Sequence, residues 1–103
     1  MEENLVEILL PLQDNEGNRF GRELFEQVAK ELSERFGGAT AFVRSPAKGL
    51  WETQSGQQHD EIVVIETMAE KVDEDWWRTY RKELERRFHQ DAVIVRCHTV
   101  RRL

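Results

Sequence analysis

The sequence predicts an α+β sandwich, a four-stranded antiparallel sheet carrying two helices on one face. Three observations predict it. Two stretches repeat apolar residues at helical spacing, several shorter ones are apolar or alternating at strand spacing, and their order is strand, helix, strand, strand, helix, strand. Two right-handed split crossovers in that order put the first and third strands at the centre. The fourth strand then pairs with the first and the second with the third, and both helices share one sheet face.

The first strand is expected over 4–12, where Val6, Ile8, Leu10 and Leu12 line one side and Leu5, Glu7 and Leu9 the other. The Asn- and Gly-containing run 13–18 has loop composition and stops it. From 21 to 36, Leu24, Phe25, Val28, Ala29, Leu32 and Phe36 recur at three and four, one buried helical stripe with Glu and Lys on the wet side. Gly37 suits the left-handed position that ends a helix, and Gly38 gives the chain room to turn back onto the sheet. Because these glycines close a helix, they read as a cap and not as a phosphate cradle.

The second strand, 39–44, runs into Pro46, which confines it to an edge. Residues 50–53 and 59–62 could continue as a hairpin around the turn at 54–58, and the β-branched run Ile62–Met68 is a central strand. Asp73 is the expected cap of a second helix whose stripe is Trp77, Tyr80, Leu84 and Phe88, with Trp76 at its margin. Residues 92–100 alternate as the last strand, with Val93, Val95 and Cys97 toward the helices and Ile94, Arg96, His98 and Val100 away from them. This βαββαβ order is the ferredoxin-like sandwich, and 103 residues hold one such domain, 1–103.

At 39% hydrophobic residues the chain has enough apolar material for a core, while 34% charged residues imply a strongly ionised surface. No apolar run approaches the roughly 20 residues of a membrane span, and the acidic start differs from a secretory leader. The expected compartment is the cytoplasm, in keeping with the single Cys97, which cannot form an internal disulfide. The net charge of −5 divides unevenly: residues 1–77 hold 7 basic and 17 acidic side chains, residues 78–103 hold 8 and 3. Overall acidity argues against sequence-independent nucleic-acid binding, whose affinity comes mostly from phosphate neutralisation.

The combination of Phe36-Gly37-Gly38-Ala39-Thr40, Gly49-Leu50-Trp51 and Trp76-Trp77-Arg78-Thr79-Tyr80 followed by Leu84-Glu85-Arg86-Arg87-Phe88 resembles a family of small bacterial proteins of predicted ferredoxin-like fold and unknown function. That resemblance implies the fold and carries no activity onto any residue.

Candidate chemistry concentrates on the sheet face turned away from the helices. Leu5, Glu7, Leu9, Phe42, Arg44, Ile62, Val64, Glu66, Ile94, Arg96 and His98 share it. Pairing is expected to set Glu7 beside Arg96 or His98 and Glu66 beside Arg44, as cross-strand ion pairs on aliphatic ground. The functional alternative is a ligand site in which Arg44 or Arg96 holds an anion and Glu66 or His98 moves a proton, with Trp51 as a lid or a partner contact. His59-Asp60-Glu61 cannot converge on a metal, because consecutive strand residues alternate sides. Cys97 is expected as a small buried hydrophobe. No cofactor or metal is implied.

Two function classes follow. One is a homodimeric binding or assembly module whose interface includes the open face or the Trp51 hairpin, because the apolar face calls for a cover and a two-fold contact needs only one self-complementary patch. The other is a small enzyme of the dimeric α+β barrel type acting on a small, anionic metabolite at that face.

Overall fold

In the computed structural model, which describes residues 2–44 and 61–103, the elements are β1 (Glu2–Pro11), α1 (Arg22–Phe36), β2 (Thr40–Arg44), β3 (Ile62–Ala69), α2 (Glu74–Arg87) and β4 (Ile94–Arg101). The strands form one antiparallel sheet ordered β2-β3-β1-β4. This is the ferredoxin-like arrangement, with the strands placed as the crossover argument requires. The expected hairpin at 50–53 and 59–62 lies mostly outside the described residues.

Alternation in the two central strands decides which face is covered. Val6, Ile8 and Leu10 of β1 and Val63 and Ile65 of β3 are buried against Phe25, Val28 and Leu32 of α1 and Trp77, Tyr80 and Leu84 of α2. Phe88, just past α2, and Val93 complete this core. Burying each such side chain contributes about 1.5–3 kcal/mol, so the two stripes hold both helices on the same side of the sheet.

Aromatic rings close both ends of the helical layer. Phe20, Phe25 and Phe88 meet edge-on or tilted with centroids 5.1–6.3 Å apart. At the other end Phe36 stacks on Trp77 at 5.3 Å, and Trp76 stacks on Tyr80 at 4.9 Å.

The helix ends follow the sequence signals. Gly37 takes φ +90°, which L side chains rarely adopt, and its N–H donates to the Ser33 carbonyl at 2.8 Å. Asp73 caps α2 by accepting from the Trp76 N–H at 3.1 Å. In the loop after β1, Asp14 Oδ1 accepts from the N–H groups of Glu16 and Asn18 at 2.9 and 2.8 Å. That is an Asx-type turn, which accounts for the loop composition.

The helices are also tied by a polar hub that the periodicity does not reveal. Arg87 forks onto Glu31 of α1 at 2.8 and 3.0 Å, Tyr80 Oη donates to the same carboxylate at 2.8 Å, and Arg87 Nε reaches Glu83 at 2.7 Å. Burial alone would raise the Glu31 carboxyl, but the bonds from Arg87, Tyr80 and Gln27 outweigh it and hold the group below its ordinary range. Burial first, and Glu31 second, push the Tyr80 phenol well above its ordinary value, so it remains a donor. Glu83 is lowered to about 2 by hydrogen bonds from Arg86 and then Arg87.

One assignment changes. Cys97 is exposed, not buried. It does point to the helix side of the sheet, opposite Val6, but β4 is an edge strand and six of its eight residues are exposed.

Arg87→Met should lower the unfolding free energy by about 1–3 kcal/mol, the range for losing hydrogen bonds to a half-buried charge. The sign of the acid dependence is set by depressed carboxyls. Their stabilisation is complete above the unfolded value of about 4.3 and is lost as pH falls from there toward about 2. Urea titrations across that range should show a steeper acid loss in the wild type than in Arg87→Met.

Candidate functional site on the open sheet face

On the open face, register sorts the side chains into rows running across the strands. Phe42, Val64, Leu9 and Ile94 form one apolar row, since Phe42 lies opposite Val64, Val64 opposite Leu9, and Leu9 opposite Ile94. The next row is polar. Thr40 lies opposite Glu66, Glu66 opposite Glu7, and Glu7 opposite Arg96. Directly opposed side chains have Cβ atoms about 4.5–5.5 Å apart, so this row brings two carboxylates side by side on the central strands.

Arg96 serves one of them. Its Nε donates to Glu7 Oε1 at 3.1 Å, across the β1–β4 pair, with the Glu7 side chain 15% exposed. The expected Glu7–Arg96 pair is thus present. The expected Glu66–Arg44 pair is not: Arg44 lies opposite Ile62, four residues from Glu66 along β3 and hence about 13 Å away along the strand. The residue opposite Glu66 on β2 is Thr40.

The other candidates scatter. His98 is exposed beside Leu5, one row further on. The Arg44 side chain and Trp51 lie outside the described residues. The structure therefore brings Glu66, Glu7 and Arg96 into one row and leaves Arg44 away from it. Sequence reasoning had Glu7 on the correct face but missed it as the neighbour of Glu66. The signal was present in two glutamates on adjoining central strands, and only the β1–β3 register was needed to unite them.

Glu66 also lines a groove of about 810 Å³ at the end of the sheet where β1 begins and β3 ends. Leu5 and Met68, opposed in the β1–β3 register, give it apolar surface. Gly37 and Gly38 form another wall, held in place where buried Thr67 donates its hydroxyl to the Gly38 carbonyl at 2.5 Å. Arg35, Lys71 and Arg102 bring positive charge to the lining. Arg35 is itself seated 4.3 Å over the Trp76 ring, and Arg102 reaches Glu3 at 3.0 Å. Such a groove offers apolar ground for a flat or aliphatic group, a carboxylate for a cation and guanidinium or ammonium groups for an anion. Among the described residues no group of three or more His, Cys, Asp or Glu could hold a metal ion.

The open apolar patch is narrower than the sequence suggests. Val64 is fully buried, Leu5 and Leu9 are half-buried, and only the ends of the row, Phe42 and Ile94, stand out at 41% and 56% exposure.

This arrangement defines a small α+β domain of ferredoxin-like fold. A solved structure described as a phage SAM lyase in complex with S-methyl-5′-thioadenosine shares that fold. The TM-score is 0.63, with 21% identity over 93% of this chain and 80% of the other. No family model matches the chain, and no curated protein matches it. No helix among the described residues is long and apolar enough to cross a membrane.

Opposed like charges are destabilising in a sheet unless something repays them. Glu66→Gln should therefore raise the unfolding free energy by about 0.2–1 kcal/mol in the absence of ligand, whereas Glu7→Gln, which strips Arg96 of its partner, should not stabilise. Parallel urea denaturations of the two variants check the contrast.

Proposed function

We propose that the chain is a small enzyme acting on a cationic sulfonium metabolite of the S-adenosylmethionine class, bound in the groove beside Glu66. The observation that supports it most is the Glu7–Glu66 pair, two carboxylates opposed on the central strands of which only Glu7 is met by an arginine, Arg96. A site of that kind favours a ligand cation that lacks strong hydration, and a sulfonium is such a cation. The rest of the groove suits the remainder of the molecule. Leu5 and Met68 offer surface for the adenine and the methylthio group, and Arg35 or Lys71 stands on the lining for the carboxylate of the amino-acid arm.

The fold-mate adds chemistry to this reading. Methylthioadenosine is S-adenosylmethionine without its amino-acid arm, so cleavage to it breaks the bond between sulfur and the arm, and sulfur keeps the bonding pair. The arm carbon takes a new bond to oxygen, either from water, which gives up a proton, or from the arm's own carboxylate, which closes a ring. The sulfonium becomes a neutral thioether. A carboxylate beside sulfur fixes the cation and its orientation before that step, and a product without charge is then held less tightly. The ligand expected from sequence was anionic. S-adenosylmethionine carries a carboxylate as well as two cationic groups, so the proposal keeps an anion-binding role for the basic groups of the lining while moving the principal recognition to a cation.

Incubating the purified chain with S-adenosylmethionine and following methylthioadenosine by chromatography tests the enzyme reading. Product is expected above the spontaneous background, and at substrate below saturation Glu66→Gln should reduce it by about tenfold through weaker binding of the sulfonium, the scale of losing roughly 1.4 kcal/mol of affinity. A wild-type rate equal to background, with binding retained, would return the chain to the class of binding modules.

A further inference from the structure

We propose that β4 pairs antiparallel with β4 of a second copy of this chain, joining two sheets edge to edge about a two-fold axis that passes through Cys97. The inference does not depend on what occupies the groove. Among the described residues β4 is the longer of the two edge strands, eight residues against five in β2, and six of its eight residues are exposed. Its register with β1 runs one-for-one from Leu9↔Ile94 to Glu2↔Arg101, so no bulge turns the edge away. It contains no proline and no lysine, two of the usual guards against edge pairing. Arg96 does not guard it either, because its guanidinium is held on the same chain by Glu7.

Symmetry narrows the pairing to a short set of registers. When two copies of one strand meet antiparallel about an axis perpendicular to the sheet, side chains of the same face oppose each other, so the axis falls on a residue and not between two. Centred on Arg96 it would set guanidinium against guanidinium. Centred on His98 it would set Val95 against Arg101 and Arg96 against Val100, wasting the apolar residues. Centred on Val95 it would set Ile94 against Arg96, and centred on Thr99 it would set Val100 against His98 and Arg101 against Cys97. Centred on Cys97, Ile94 faces the second copy's Val100 twice, Val95 faces Thr99 twice, Arg96 faces His98 twice, and no arginine faces another.

The occupant is thus a second copy because the strand is complementary to itself in one register. That register gives cover to Ile94, 56% exposed in the single chain. It uses the outer edge of the sheet and not the middle of the open face, where Val64 is already buried. The sequence leads to the expectation of a homodimer joined through the open face or the Trp51 hairpin; the dimer proposed here keeps the two-fold axis and puts its contact on the edge.

Opposed residues of an antiparallel pair have Cα atoms about 4.5 or 5.5 Å apart, and both spacings suit a disulfide. Light scattering in reducing buffer at micromolar concentration should report twice the 12.2 kDa chain mass. Mild oxidation should convert most of the protein to a Cys97–Cys97 covalent dimer, at a rate independent of dilution while the dimer persists. The double variant Ile94→Lys with Cys97→Lys, both at exposed positions, should remain folded by circular dichroism and weaken association at least tenfold. Phe42→Asp should leave the dimer intact. A monomeric wild type, a dimer that resists Cys97 oxidation, a dimer unchanged in the double variant, or one abolished by Phe42→Asp would each overturn the edge pairing.

Discussion

The register between β1 and β3 is the constraint on which the rest of the molecule depends. Both strands are central, and both bury one side against the helices, so a slip of one residue would turn Val6, Ile8 and Leu10 to the open face and unseat α1 and α2 together. The apolar pattern thus forbids slippage. Once fixed, the same register sets Leu9 against Val64 and Glu7 against Glu66 on the far side. The core and the candidate site are two faces of one alignment, and the carboxylate pair is imposed by a fit that the core alone would select.

The polar hub between the helices has a different character from the carboxylate row. Glu31 is met by Arg87, Tyr80 and Gln27, so its charge is answered several times over and it works as a clasp. Glu66 and Glu7 are answered by one guanidinium, which sits on the Glu7 side. Under the proposed function a cationic ligand would answer the second arrangement, since positive charge placed between Glu7 and Glu66 offsets their mutual repulsion.

Much of the architecture was legible in the residues themselves. Helix ends could be placed from Gly37 and Asp73, the central strands from the alternation of β1 and the β-branched run of β3, and the edge position of β2 from Pro46. What escaped depended on pairing across long sequence distances. Glu66 was matched with Arg44 because opposite charges on neighbouring strands usually pair, but the β2–β3 register places Thr40 there. Cys97 is exposed although it lies on the helix side, because alternation gives the side of a sheet and not how fully that side is covered. The Glu31 hub joins residues 49 and 56 positions apart, Tyr80 and Arg87, a distance over which local pattern carries no information.

The central claim, that the opposed carboxylates hold a sulfonium, is tested most directly by the charge on sulfur. S-adenosylmethionine and S-adenosylhomocysteine differ by one methyl group, which makes sulfur cationic in the first and neutral in the second. Calorimetric titration of both at low salt should show the wild type favouring S-adenosylmethionine by about tenfold or more, equivalent to roughly 1.4 kcal/mol. In Glu66→Gln the preference should collapse toward unity. Equal affinities in the wild type, or a preference unchanged by Glu66→Gln, would contradict the account.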